Sequence, residues 1–276
     1  MKESKKLMSN TDYHANEALG SSLLKLIHLK SVLHAITKEF TQSEAMAVGS
    51  AVHSLVLEPE TFTNEYAVSP KCDRRTKIGK AVYADFLADS EGKTVLSEAS
   101  LYDVKGMATA VMEHPIASRV LTGGRSEYSY FSVDKETGIE KKCRPDYENG
   151  GALIDLKSTR DASFEGFAKQ MGDLGYLIQA AWYLDVYNEA TGEDLKEFFI
   201  VAVENFSPYA VAVYKIDEMQ IEVGRKQYRK ALTEYASFLK DCEEVGEPKA
   251  KMLHGYPAEI TTIQVPYWFL DQIKGA

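Results

Sequence analysis

Cysteine is scarce in this chain: three in 276 residues, at Cys72, Cys143 and Cys242. An odd, scattered set offers no disulfide framework and no four-cysteine metal or iron–sulfur site, and it fits a reducing compartment. Long apolar runs are missing as well. No stretch reaches the ~18 uncharged apolar residues of a membrane-spanning helix. The first ten residues, MKESKKLMSN, are basic, but no apolar segment follows them, so a secretory signal is not expected and a cytoplasmic protein is. There is no G-x-S-x-G elbow for a serine hydrolase and no phosphate-cradling P-loop, so the chemistry does not call for ATP. Neither repeats nor Pro/Gly/Ser-rich linkers divide the chain, and one domain over residues 1–276 is the expectation. Within it we expect a mainly helical part over 1–120, a core over 121–245 and a tail over 246–276.

Acidic residues outnumber basic ones, 41 to 32, for a formal charge of −9. That balance does not exclude a polyanionic substrate, because a site that holds a divalent cation needs carboxylates. One local basic stretch stands out. PKCDRRTKIGK, residues 70–80, carries Lys71, Arg74, Arg75, Lys77 and Lys80 against Asp73. Arg74, Arg75, Lys77 and Lys80 have the character of a phosphate grip; the same residues also suit a solvated loop.

Apolar spacing predicts helices over Ser21–Ile36, Ser43–Leu57 (buried stripe Val48, Val52, Leu55, Val56), Ala81–Leu87 and Leu101–His114. Past Gly123-Gly124 the texture turns to strands: Tyr128–Val133, Ile139–Tyr147 and, after the turn Glu148-Asn149-Gly150-Gly151, Ala152–Ser158. A helix over Phe164–Asn188, interrupted near Gly172–Gly175, precedes strands at Phe198–Val203 and Ala210–Ile216. Asp217 is the N-cap of a long helix to about Leu239, and an irregular aromatic tail follows.

The sharpest constellation is Arg144-Pro145-Asp146 with Asp155-Leu156-Lys157 nine residues on. If Tyr147 pairs with Ala152 across the turn, Asp146 shares a sheet face with Asp155 and Lys157, as a diagonal neighbour of Asp155 at roughly 7 Å. Two carboxylates that converge this way repel each other unless a cation sits between them. An ammonium beside them orients a water nucleophile or stabilises charge on a phosphoryl group. A lone D-x-K is more often a solvated pair. Here, though, the strand is otherwise apolar, which implies a covered face. Gly49 and His53 lie one helical turn apart, so the His53 face can press close to a neighbouring backbone; a satisfied core histidine or a metal-ligating imidazole both fit. Gln179 and Tyr183 are likewise i,i+4, with Tyr176 on the same side.

In order, G-x-x-x-H, R-P-D, D-L-K and Q-x-x-x-Y resemble the RecB-like branch of PD-(D/E)XK nucleases. Tyr13-His14, Ser21-Ser22-Leu23-Leu24, AVGSAVHSLVLEPE, DRRTKIGKAVYADF, CRPDYENGGALIDLKSTRDAS and YLIQAAWYLDVY are similar to the RecE family, the exonuclease VIII-like enzymes of phages and prophages. The similarity runs from about residue 10 to about 215.

That resemblance implies an α/β fold with a restriction-endonuclease-like core: a central mixed sheet flanked by helices, with a helical N-terminal part. It implies a Mg²⁺-dependent 5′-to-3′ exonuclease on linear double-stranded DNA, with Mn²⁺ as a substitute. Its 3′ tails would pass to a RecT-like annealing protein in a bacterial cell. It implies a ring of three or four subunits around DNA; the aromatic tail with Tyr256, Tyr267, Trp268 and Phe269 suits such an interface and equally suits packing on its own subunit. By position, Asp146 and Asp155 match the metal-binding acids, His53 the helix histidine at the metal, and Leu156 a backbone-carbonyl ligand. Lys157 matches the catalytic lysine, and Gln179 and Tyr183 the supporting pair; Glu127 is a further candidate acid. Asp155 departs from the Glu of many relatives. Two alternatives stay open: a RecB-like endonuclease or nickase, and an inactive DNA-binding subunit on the same fold.

Overall fold

A computed structural model describes residues 5–39, 41–257 and 259–266. The chain runs β1 (Lys5–Lys6), α1 (Asn10–Ala15), α2 (Ser21–Leu29), α3 (Val32–Thr37), α4 (Glu44–Leu57), α5 (Phe62–Glu65), β2 (Tyr66–Val68), α6 (Lys77–Asp89), β3 (Thr94–Leu96), α7 (Glu98–Glu113) and α8 (Pro115–Val120). It continues β4 (Arg125–Ser126), β5 (Ser129–Val133), β6 (Glu140–Cys143), β7 (Tyr147–Glu148), β8 (Ala152–Thr159), α9 (Phe164–Asp173), α10 (Tyr176–Thr191), β9 (Glu197–Glu204), β10 (Val211–Lys215), α11 (Glu218–Val245) and α12 (Glu247–Leu253).

Five strands form a mixed sheet in the order β10-β9-β8-β7-β4. At its centre β8 runs parallel to β9 and antiparallel to β7. A strand with neighbours on both edges and helices on both faces must be apolar on both sides, and β8 is. Ile154 and Leu156 enter a core with Ala51 and Val52 of α4 and Val104 and Met107 of α7. Leu153 points the other way, into a core with Leu24 of α2, Trp182 of α10 and Tyr228 of α11. Asp155 and Lys157 have the parity of Leu153, so they lie on the α10 face. Wholly buried Trp182 donates Nε1–H to the Lys142 carbonyl at 2.9 Å, which ties α10 to β6 and satisfies its polar atom. Burying such a ring stabilises the fold by about 2–3 kcal/mol.

The expected strand over 139–147 is two strands. β6 joins β5 and β1 in a separate three-stranded sheet, whereas β7 joins β8. The break falls at Arg144-Pro145-Asp146, where Pro145 has no N–H to give to a ladder. The register also differs: Tyr147 faces Ile154 and Glu148 faces Leu153. The turn is the two-residue Gly150-Gly151, with Gly150 at φ +77° and Asn149 Oδ1 accepting the N–H groups of Gly151 and Ala152 at 3.3 and 3.1 Å. A slip of two residues leaves every side chain on its face, and Asp146 lies just before the paired residues, outside the ladder.

The expected helix over 21–36 breaks at Lys30 (φ −137°, ψ −88°), and the Ser31 hydroxyl starts α3 afresh by accepting the His34 N–H at 3.3 Å. On α4 the buried stripe is Ala47, Ala51, Val52 and Ser54, smaller residues than expected, which let this helix lie close to its neighbours. The interruption near Gly175 is present at φ +65°. Asp217 caps α11 by accepting the Gln220 N–H at 2.9 Å. The tail is less irregular than expected, since α12 forms with Pro248 in its first turn, where a missing N–H costs nothing. Tyr256 packs at a tilt against His34 of its own chain, ring centres 5.4 Å apart, while Tyr267, Trp268 and Phe269 lie outside the described residues. No helix among the described residues is long and apolar enough to cross a membrane.

Candidate active site

Asp146 follows Pro145 at the end of β7's ladder, and its Oδ2 accepts the Leu156 backbone N–H at 2.6 Å. The side chain thus takes the β8 donor that a longer strand would have used, which pins the carboxylate to the sheet. His53 arrives from the other face, on α4, with Nδ1 3.5 Å from the same oxygen. Gly49, one turn earlier, sits close to β8, where there is room for little more than a methyl group. A Cβ there would meet Ser158 Oγ at 3.4 Å, already van der Waals contact.

The third member of this group is Glu127. One ligand atom from each of His53, Glu127 and Asp146 lies within 4.8 Å of the others. Glu127 holds a left-handed backbone at φ +54°, strained for a residue with a Cβ, and its N–H reaches the Asp146 carbonyl at 3.3 Å. Burial, then the Asp146 charge, push its carboxyl up to about 8, with Glu58 and Glu65 adding and Arg144 opposing. Two carboxylates and an imidazole suit a hard or borderline divalent cation, and such a cation would relieve the repulsion between the acids.

Asp155 is not part of that group in this structure. It is almost wholly buried; Oδ1 accepts Gln179 Nε2–H at 2.7 Å and Oδ2 lies 2.5 Å from Lys157 Nζ. Burial holds its carboxyl above the usual range, aided by Asp146 and opposed by Lys157 and His53. Burial alone would lower Lys157, but Asp155 and Asp146 more than offset it and hold the ammonium charged. Leu156, expected to offer its carbonyl, lines the adjoining cleft and gives its N–H to Asp146. Tyr183, one turn beyond Gln179, packs edge-on to Phe198 at 6.5 Å, and burial raises its hydroxyl well above the ordinary range, with Tyr13, Asp155 and Asp146 adding. Tyr176 lies under Lys157, whose Nζ is 5.4 Å from the ring centre.

Arg144 has a structural task that its motif did not disclose. Its guanidinium is nearly buried, donates to Ser129 Oγ at 2.9 Å and to the carbonyls of Met8 and Ser9 at 3.0 and 3.3 Å, and lies 4.3 Å from the Tyr13 ring centre. A residue that sequence reading passed over is Lys25 of α2, which donates to Gln179 Oε1 at 3.2 Å. A lysine on a helix ordinarily reads as a solvated position, and no local pattern marks this one.

His53, Lys157, Gln179 and Lys25 line one open cleft of about 1450 Å³. Its walls come from α4 on one side and α9 on the other. The basic stretch is not among its lining residues. Arg75 there is paired bidentately with Asp73 (2.9 and 3.1 Å), Arg74 lies over the Tyr83 ring at 4.4 Å, and Lys77 and Lys80 have no ion pair among the described residues.

A mixed sheet between helices, with Asp146 just before β7 and Asp155-Leu156-Lys157 on the adjacent strand β8, fits a PD-(D/E)XK-type fold. The chain belongs to the family described as PDDEXK-like domain of unknown function (DUF3799), which matches residues 27–248. A candidate exonuclease from Eubacterium rectale has a crystal structure that superposes with a TM-score of 0.59 at 15% identity, over 96% of this chain and 98% of that one. SSO0001 aligns at a TM-score of 0.28 and 13% identity, over 81% of this chain and 86% of the other, too distant to bear on the fold. No curated protein matches the chain.

Proposed function

We propose that the protein is a divalent-metal-dependent deoxyribonuclease that digests linear double-stranded DNA from its 5′ ends, leaving 3′ tails for an annealing partner. The observation that carries the nuclease reading is the His53–Glu127–Asp146 cluster beside the Asp155–Lys157 pair, with His53 and Lys157 both lining one open cleft. The exonuclease reading leans on the RecE-like motifs and is in keeping with the description of the Eubacterium rectale protein.

In this reading His53, Glu127 and Asp146 hold Mg²⁺ or Mn²⁺, with Asp155 and the Leu156 carbonyl as adjoining oxygen donors. A bound cation supplies Lewis acidity to the phosphate and lowers the pKa of a water. Lys157, kept charged by Asp155 and Asp146, faces the cleft, where its ammonium stabilises the negative charge that grows on a phosphoryl oxygen. Gln179 fixes Asp155 so that the pair with Lys157 keeps one orientation, and Tyr176 supports the ammonium from below. Tyr183 fills the apolar side of the site and keeps water off Asp155. Arg74, Lys77 and Lys80 would meet DNA backbone outside the cleft, and several subunits around one duplex would keep an acidic enzyme on its substrate.

The test is digestion of a linear duplex labelled at either 5′ or 3′ ends, beside a closed circle, with Mg²⁺ and with chelator. Early release of 5′ label with an intact circle is expected. Cutting of the circle would replace the exonuclease with an endonuclease or nickase. No cutting of any substrate would leave a DNA-binding subunit and end the nuclease reading.

A further inference from the structure

We infer that Lys25 is a substrate-contacting residue that binds a phosphodiester oxygen of the nucleic acid beside the position served by Lys157. This rests on the nuclease reading and extends it to a residue outside the motif.

Lys25 comes from α2, far from the motif in sequence, yet its ammonium is built into the same array. Nζ donates to Gln179 Oε1 at 3.2 Å; Gln179 in turn donates to Asp155, and Asp155 pairs with Lys157. Lys25 and Lys157 both lie over the Tyr176 ring, 5.8 and 5.4 Å from its centre, and both line the cleft. The stem of Lys25 is held by the chain reversal at Gly175, where a Cβ would meet Lys25 Cγ at 3.2 Å. The stem thus packs on that turn while the ammonium is bonded to Gln179.

What it lacks is a direct ion-pair partner. Among the described residues no carboxylate lies within ion-pair distance of Lys25, and Gln179 is its one hydrogen-bond partner. Two of its three donors are thus unfilled. The Lys157 ammonium and the first turn of α10, which carries no acidic residue and presents the positive end of the helix dipole, oppose a cation there, and only the Asp155 charge, beyond Gln179, favours it. Burial, followed by the Lys157 charge, pushes Lys25 down to about 8 against the weaker pull of Asp155. Withdrawing a cation from water without a partner is costly, and an anion entering the cleft removes that cost. The chemistry that two nearby ammonium groups and a helix N-terminus accept is a phosphate, with three acceptor directions to share.

The test compares Lys25→Met, which keeps the stem and removes the charge, with Lys25→Arg, which keeps a cation. Binding to a fluorescent duplex is followed by anisotropy over a salt series in an Asp146→Asn background, and KM and kcat are measured in the otherwise native protein. Lys25→Met should weaken binding about tenfold or more, the share of a charge-assisted hydrogen bond. It should also flatten the slope of log affinity against log salt by about 0.9, one phosphate contact. Lys25→Arg should restore both. Loss of turnover in Lys25→Met with affinity and salt slope unchanged would overturn the inference and leave Lys25 as a support for Gln179. Should Lys25→Met not fold, Lys25→Gln takes its place against the same criteria. The parent reading is scored separately: native protein that binds but does not cut DNA ends the nuclease reading while Lys25 can still be measured, and native protein that binds no DNA overturns both.

Discussion

Gln179 and Asp155 are 24 residues apart in sequence and 2.7 Å apart in space, with the amide N–H donating to the carboxylate. Since Gln179 also accepts from Lys25, its amide has one sensible orientation, and the acid it holds is committed to Lys157 rather than to Asp146. The two acids of the motif therefore have different physical standing, and they should respond differently to mutation.

Asp155→Ala leaves Lys157 without its counter-charge in a covered position. It should cost about 3 kcal/mol of stability without metal, the low end for a broken buried pair because Lys157 keeps some contact with solvent. Asp146→Asn keeps an acceptor for the Leu156 N–H and removes repulsion with Glu127, so its melting temperature in chelator should equal or exceed that of the native protein. Both variants should lose more than about a hundredfold in rate, roughly 2.7 kcal/mol in barrier terms. Mg²⁺ should raise the melting temperature of the native protein but not of Asp146→Asn. Calorimetry with and without chelator decides it; an unstable Asp146→Asn would refute the repulsion.

Gly49 sets the distance between α4 and β8. Gly49→Ala should be tolerated, as its Cβ only touches Ser158 Oγ and alanine favours a helix by up to about 1 kcal/mol. Gly49→Leu should push His53 away from Asp146 and abolish metal-induced stabilisation while the helical circular dichroism stays native. If leucine leaves metal binding intact, the close approach is incidental.

Within the basic stretch, Arg75 already has a partner in Asp73, so Arg75→Ala should change DNA affinity least. Arg74→Ala, Lys77→Ala and Lys80→Ala should each weaken binding and reduce the salt slope by up to about 0.9. Equal effects for all four residues would contradict the pairing.

Asp134 anchors the far side of the fold. Its buried carboxylate lies 3.7 Å from Lys141 and pairs with Arg229, and it accepts the Thr137 N–H at 3.0 Å. Burial works to raise its pKa, but the Thr137 and Arg229 hydrogen bonds prevail and lower it. A carboxyl depressed by folding contributes its stability above the unfolded value and loses it as pH falls through the folded one. Asp134→Asn should therefore cost about 3 kcal/mol near neutral pH, and the gap to the native protein should close as pH drops below about 4. A gap that persists at low pH would show that charge is not the cause.

If the acidic chain works as a ring, light scattering at micromolar concentration should give about three or four times the 30.8 kDa of one subunit. A monomeric mass with full activity would refute the ring.

The centre of this arrangement was legible because β8 announces itself: apolar residues bound for two cores, with Asp155 and Lys157 on one parity. Its register was not, since Glu148-Asn149-Gly150-Gly151 can close as a two-residue or a longer turn, and only Asn149's bonds choose. The division of β6 from β7 is visible in Pro145 after the fact, but a proline alone does not say which sheet each half will join. Lys30-Ser31 breaks a helix with neither glycine nor proline. Glu127 reaches His53 through a strained backbone and the placement of two distant elements, which no spacing encodes. Lys25 was hidden for the opposite reason, as an ordinary lysine on an amphipathic helix that only tertiary structure turns inward.

Arg144 holds the carbonyls of Met8 and Ser9 two residues before Asp146. The opening segment of the chain is thus a clasp on the joint between β6 and β7, and anyone shortening the protein or fusing a tag to its front acts on the candidate site from outside. A version cut back past Tyr13 would strip the guanidinium of its carbonyl partners and its aromatic cover, and would loosen the hold on a side chain that already stands 3.9 Å from Glu127.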